Sequence, residues 1–136
     1  MALSDGAFEA LMAASNTAVI GTIGRDGVPH QAPVWYEWRD GVLLIPTERG
    51  SQKWVNIERD PRVSICIDTR DTPVQVALFR GVADELETDY IEARARFYAR
   101  YHGEGAEAAL AANPIDPADW VVIRVTPERV ITFGGE

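Results

Sequence analysis

The sequence predicts an α+β domain made mostly of antiparallel strands, closed or nearly closed into a β-barrel. Three observations carry this. Short β-branched runs recur along the chain, and two Arg-Asp-Gly sequences punctuate them as hairpin turns. Helix-length amphipathic segments are inserted among the strands and do not alternate regularly with them. At 136 residues, 46% hydrophobic and 25% charged, the chain is expected to form one domain, 1–136, that folds without disulfides or metals.

Ser4 is a good N-cap for a first helix, with Phe8, Leu11 and Met12 on one face and Asn16 as its stop. Thr17 to Ile23 is a short β-branched strand, and Gly24-Arg25-Asp26-Gly27 turns it back. Val28 to Trp38 reads as the second strand, Arg39-Asp40-Gly41 as another turn, and Val42 to Ile45 as the third strand, stopping at Pro46. A short helix, Ser51 to Glu58, ends at Asp60-Pro61, because proline disfavours a helical residue before it. Arg62 to Asp68 alternates as a strand, Arg70 to Pro73 is turn-like, and Val74 to Glu87 is a long strand with Gly81 at a bulge or bend. Thr88 caps a helix over Asp89 to His102, with Ile91, Arg94/Ala95, Tyr98 and Tyr101 on one stripe and Gly103 at its C-terminal stop. Glu104 to Ala112 reads as a shorter helix, completing a helical insertion over about 88–112. After a loop at 113–117 come a strand over Trp120 to Thr126, a turn at Pro127-Glu128, and a last strand over Val130 to Phe133.

Net charge of −8 and a pI near 4.7 argue against a sequence-independent nucleic-acid binder or a protein held on anionic membranes. An anionic ligand therefore needs a local basic pocket. Cys66 is the single cysteine, and no signal peptide or membrane-length apolar run is read, so a reducing cytoplasm is the expected compartment and no membrane span is expected. His30, His102 and Cys66 have no metal-ligand spacing, and no GxSxG elbow is present. Cys66 reads as a core filler, His30 as a structural strand residue, and the carboxylates over 84–89 as a solvated sheet end.

Two stretches could do chemistry. From Val42 to Lys53 the order is strand, small hydroxyls with glycine, then a helix start bearing a lysine. Free amides at a helix N-terminus favour an anion, Ser51 can cap or donate, and Lys53 adds a full positive charge, so this is either a phosphate seat or simply a capped helix. In the second strand, Pro29 and Pro33 remove ladder donors on one side, which calls for an edge or a bulge. The aromatic run Trp35-Tyr36-Glu37-Trp38 follows, either as a flat wall for a planar ring or as core and dimer packing. A phosphate seat beside a ring wall describes a flavin-like mononucleotide site.

The segments Gly24-Arg25-Asp26-Gly27-Val28-Pro29, Pro33-Val34-Trp35-Tyr36, and Thr47 to Lys53 with Asn56 and Arg59-Asp60-Pro61-Arg62 resemble the pyridoxamine 5′-phosphate oxidase-like, flavin-binding split-barrel superfamily. Within it, the chain looks most like the deazaflavin (coenzyme F-420)-dependent oxidoreductases. The resemblance implies a six- or seven-stranded split β-barrel with flanking helices, forming a homodimer with two cofactor sites at the subunit interface. It places Thr47, Ser51 and Lys53 on the cofactor phosphate, and Pro33, Val34 and Trp35 along the tricyclic ring. The oxidase proper has Ser-Arg-Lys where this chain has Ser51-Gln52-Lys53, so one basic phosphate ligand is missing. The C-terminal Trp and Arg pattern that binds the pyridoxal substrate is also missing, so pyridoxamine phosphate oxidation is not expected.

The function this implies is F-420-dependent hydride transfer to a conjugated, planar small-molecule acceptor. No catalytic side chain is assigned, because the cofactor carries the chemistry. Tyr36 and His30 lie, by strand parity, on the side opposite Trp35 and are not taken as proton donors. Two other functions stay open: an FMN-dependent oxidoreductase on the same fold, and a non-catalytic flavin- or haem-binding protein with His30 as its candidate ligand.

Overall fold

Positive φ at Asp40 (+52°) and Gly41 (+76°) makes a two-residue hairpin turn whose twist matches the strands it joins. Gly27 (φ +83°) serves the first hairpin, where the Gly24 amide donates to the Val28 carbonyl. In the computed structural model, which describes residues 1–135, these turns open a chain of seven strands and four α-helices. Helix α1 (Asp5–Ala13) precedes β1 (Ala18–Ile23), β2 (Pro29–Val34), β3 (Glu37–Arg39) and β4 (Val42–Glu48). Then come α2 (Gln52–Arg59), β5 (Arg62–Asp68), β6 (Gln75–Glu85), α3 (Tyr90–His102), α4 (Ala106–Ala112) and β7 (Trp120–Gly134). Every ladder is antiparallel, and the strands form one curled sheet in the order β2-β1-β5-β6-β7-β4-β3. This is an α+β split barrel.

Seven strands were expected and seven are present, but they are not the same seven. The expected strand over 28–38 breaks at Trp35 and Tyr36 into β2 and β3. The expected pair over 120–133 is one strand, β7, running straight through Pro127. Proline cannot donate to a ladder, and the chain absorbs it as a bulge: Gly81 faces Pro127 while Arg80 faces Arg129, leaving Glu128 over. A Cβ on Gly81 would stand 2.2 Å from the Thr126 carbonyl oxygen, so this backbone approach admits only glycine.

Strand β4 also continues past Pro46, where a stop was expected, and carries Thr47 in the sheet. Its β3 partner ends at Leu44↔Glu37, so β4 has only β7 beside it at Pro46, and the missing N–H falls on an open side. The prolines of β2 lie on an edge strand, as their chemistry requires.

Two buried clusters sandwich the sheet at β4 and β7. Leu43, Ile45, Val121 and Ile123 face the main core with Tyr36, Trp54 and Phe79, whereas Leu44 and Val122 face a second cluster with Tyr90, Ala93 and Phe97 of α3. Burial on both faces accounts for the unbroken apolar runs at 42–45 and 121–123. Helix α3 therefore presents Tyr90, Ala93, Arg94 and Phe97 inward, while Ile91 is 50% exposed. The inward stripe is displaced by one position from the expected one, since Tyr90, Ala93 and Phe97 pack on Leu44 and Val122. The cap is Asp89 and not Thr88: the Asp89 carboxylate accepts from the Ile91 and Glu92 amides. Cys66, expected in the core, is half-buried on the outward face of β5, since Val63, Ile65 and Ile67 take the inward parity.

The C-terminal end of α3 is tied to the start of the chain. The Arg100 guanidinium donates to the carbonyls of Met12 (3.0 Å), Ala13 (3.1 Å) and Ala14 (2.7 Å), and lies 4.7 Å from the Tyr36 ring centroid. A cation here satisfies the open carbonyls and negative dipole end of α1. The Tyr36 amide donates to the Tyr101 hydroxyl, which donates to the Asn16 carbonyl. These contacts fix the break between β2 and β3, and with it Trp35.

Candidate functional site

A cavity of about 790 Å³ opens between the β2 end, the β4–α2 turn and the helical insertion. All six residues assigned to a cofactor from the sequence, Pro33, Val34, Trp35, Thr47, Ser51 and Lys53, line it. Strict strand parity would have turned Val34 away from its neighbours. The strand ends at this point, and Val34, Trp35 and Pro33 all reach the same space.

At the β4–α2 end, the hydroxyl oxygens of Thr47 and Ser51 lie 3.0 Å apart. Ser51 is the N-cap of α2 and accepts from the Trp54 amide at 3.4 Å. The amides of Gln52 and Lys53 have no acceptor among the described residues, so the helix start keeps two free donors. Lys53 is half-buried, and burial pushes its ammonium below the usual lysine range, with nearby Glu48 opposing the shift. Gln52 points elsewhere: its amide donates to Asn56 at 2.7 Å, and Asn56 donates to Thr22, a buried link from α2 to β1. The side chain that replaces the oxidase's arginine thus serves the fold.

Trp35 stacks on Tyr101 (centroids 4.7 Å apart, planes at 6°) and meets Tyr98 edge-on at 5.4 Å. The indole is thereby held rigidly at the cavity wall while remaining half-exposed. The aromatic run divides its members: Trp35 lines the cavity, and Trp38 packs on Phe8 and Phe79. Tyr36 is fully buried, with its hydroxyl against the carbonyls that end α1, and His30 is likewise absent from the cavity wall. Neither can serve a ring bound there, and the haem reading loses its ligand at this place.

The insertion supplies a wall that the sequence did not reveal. Tyr90, Arg94, Phe97 and Tyr98 come from α3, Asn113, Pro114 and Ile115 from the following loop, and Trp120 from the start of β7. Tyr90 stacks on Trp120 with centroids 5.7 Å apart, and burial raises its phenol far above the usual tyrosine range, so it stays neutral. Arg94 is 9% exposed. The cavity thus has two cations, Lys53 and Arg94, against the one carboxylate of Glu48, in a protein of net charge −8. Helical periodicity hinted at Arg94, but nothing local indicated that α3 would cover β4. Among the described residues no cluster of side chains suited to a metal is found.

The family model described as pyridoxamine 5′-phosphate oxidase matches residues 4–134. The chain belongs to that family. A conserved hypothetical protein from Mycobacterium tuberculosis is 30% identical, with a TM-score of 0.78 over 97% of this chain and 85% of that one. A structure described as an F-420 reductase is 28% identical, with a TM-score of 0.77 over 90% of this chain and 94% of its own. A FAD-binding protein from Mesorhizobium loti, at 19% identity and a TM-score of 0.70 over 100% and 98% of the two chains, shares the fold. No match was found among curated protein sequences. No helix among the described residues is long and apolar enough to cross a membrane.

Proposed function

We propose that this family member is a coenzyme F-420-dependent oxidoreductase that reduces a conjugated, planar small-molecule acceptor by hydride transfer. The observation that carries the reading is the meeting, on one cavity, of a lysine-bearing helix start with two free amides and a hydroxyl pair, and of an apolar wall from Pro33 to Trp35. When bound, the cofactor supplies the hydride. Lys53, Ser51 and Thr47 hold its phosphate, and Pro33, Val34 and Trp35 border its ring. Phe97, Ile115 and Trp120 exclude water from the far side and hold an acceptor against that ring. Gln52 faces away from the cavity and leaves a single lysine at the phosphate, which favours F-420 over FMN. The F-420 reductase among the structural relatives supports the same choice.

The deciding experiment titrates cofactor-free protein with F-420 and, in parallel, FMN, following fluorescence. Micromolar binding of F-420 with weak or absent FMN binding supports the reading. The reverse preference moves the protein to the FMN-dependent class, and binding of neither removes the cofactor assignment.

The reading includes a homodimer. Leu78, Val82, Ile131 and Phe133 lie on the outward face of β6 and β7, each between 36% and 45% exposed, with Leu78 paired to Ile131 across the ladder. A second copy covers this apolar face. Sedimentation equilibrium of wild type and Leu78→Asp tests it: a dimer that becomes a monomer is expected, and a monomeric wild type overturns it.

A further inference from the structure

Arg94 is a buried cation whose partners are all neutral. Its Nη2 donates to the Asn113 carbonyl and, at 3.4 Å, to the Tyr98 hydroxyl, while the guanidinium carbon sits 4.7 Å from the Tyr98 ring centroid. No carboxylate pairs with it among the described residues, although the chain carries 21 acidic side chains. Its Nε and Nη1 make no hydrogen bond with any described residue, yet they are not among the sealed unpartnered atoms, which are His30 Nδ1 and Arg100 Nε. Those donors are thus open to solvent, and Arg94 is a residue of the cavity wall.

A charge taken out of water is normally paired, and an unpaired one is costly. Here the scaffold uses Nη2 for orientation and leaves Nε and Nη1 of a permanently charged group without a protein partner beside a binding space. Both paired edges of a guanidinium include Nη2, so an anion is met by single charge-assisted bonds from Nε or Nη1, which a carboxylate oxygen accepts and a neutral amide oxygen accepts less well.

We propose that Arg94 is a specificity-determining residue that takes the carboxylate of the molecule filling the insertion side of the cavity. The inference rests on the cavity being the cofactor and acceptor site. The carboxylate comes from the acceptor or from the anionic tail of the cofactor, and the two sources share this chemistry. Arg94 would then do what Lys53 does not: select a planar carboxylate over its neutral isostere, away from the phosphate seat.

The test is calorimetric titration of the whole chain, free of cofactor, with 2-naphthoate and 2-naphthamide, which differ in charge and hardly in shape. Wild type is expected to prefer the carboxylate at least tenfold. Arg94→Gln should bring the ratio near one, Arg94→Lys should keep part of it, and Lys53→Ala should leave it standing. Equal binding of the two probes by wild type, an unchanged ratio in Arg94→Gln, or a ratio lost in Lys53→Ala overturns the proposal. Should Arg94→Gln fail to fold, the decision passes to Arg94→Lys, whose ratio must fall several-fold.

Titrating Arg94→Gln with F-420 and with its fragment that keeps the phosphate but lacks the anionic tail identifies the source. Weakened F-420 binding with unchanged fragment binding assigns the carboxylate to the cofactor, whereas unchanged binding of both assigns it to the acceptor. Read beside a naphthoate preference that Arg94→Gln abolishes, either result keeps the carboxylate site. A wild type that ignores F-420 but prefers 2-naphthoate would sink the cofactor reading alone.

Discussion

The two walls of the cavity are built in different ways. The β4–α2 wall is held by a ladder and by local chemistry: Thr47 is fixed by pairing with Val121, and Ser51 caps the helix that carries Lys53. The insertion wall is held by side chains reaching far along the chain, with Arg100 on the carbonyls of 12–14 and Tyr101 on Asn16 and Tyr36. A wall made by backbone pairing is rigid by construction. A wall hung on a few side chains can be loosened by one substitution, and the contrast is open to experiment.

The largest effect belongs to the first wall. Lys53→Ala should weaken F-420 binding by about 10- to 100-fold, in line with roughly 1.5–3 kcal/mol for a charge-assisted hydrogen bond, while the melting temperature hardly moves. Unchanged affinity in a fluorescence titration would take Lys53 out of the site. Next comes the anchor of the second wall. Arg100→Ala should cost about 2 kcal/mol in urea unfolding, because three carbonyls lose a charged donor. Because this anchor also sets Trp35 at the cavity wall, its loss should raise cofactor Kd along with acceptor KM; an unchanged cofactor Kd would mean that Trp35 does not depend on it.

Thr47→Val keeps the shape and removes the hydroxyl that meets Ser51, so a loss of about 1 kcal/mol in cofactor affinity, roughly fivefold, is expected by the same titration. The pH dependence is the gentlest probe. Burial holds the folded Lys53 pKa below its unfolded value, so the folded chain binds fewer protons between the two and Lys53 favours folding more as pH rises through that window. Anion binding runs the other way. It requires the protonated lysine, so F-420 affinity should fall as pH rises through the depressed pKa, and Lys53→Ala should flatten the profile.

The same contrast accounts for what was legible in the sequence. Proline, glycine and Asp-Gly carry their conformations with them, which is why the hairpins, the β2 edge and the Gly81 bulge could be read locally. Ser51 and Lys53 were legible as a helix start, whereas Pro33, Val34, Trp35 and Thr47 were placed together only by the family resemblance, since the expected second strand ran on to Trp38. The break at Trp35-Tyr36 was not, since it depends on Tyr101, 65 positions away from Tyr36. Pro127 misled because a local rule for turns met a partner strand with glycine opposite, which made a bulge possible. Arg94 escaped notice because its value lies in what is missing around it, a carboxylate, and no spacing encodes an absence.

The double covering of β4 and β7 has an evolutionary consequence. Leu43, Leu44 and Ile45 are each committed to one cluster or the other, so no position in that run drifts freely. The strand that leads to Thr47 should consequently tolerate few substitutions. The segment 88–115 meets the sheet through Tyr90, Ala93 and Phe97 and ties down the β2–β3 break through Arg100 and Tyr101, which leaves its outward face and α4 the freest to vary. Substitutions should therefore be tolerated first on the solvent side of the insertion, and last along β4.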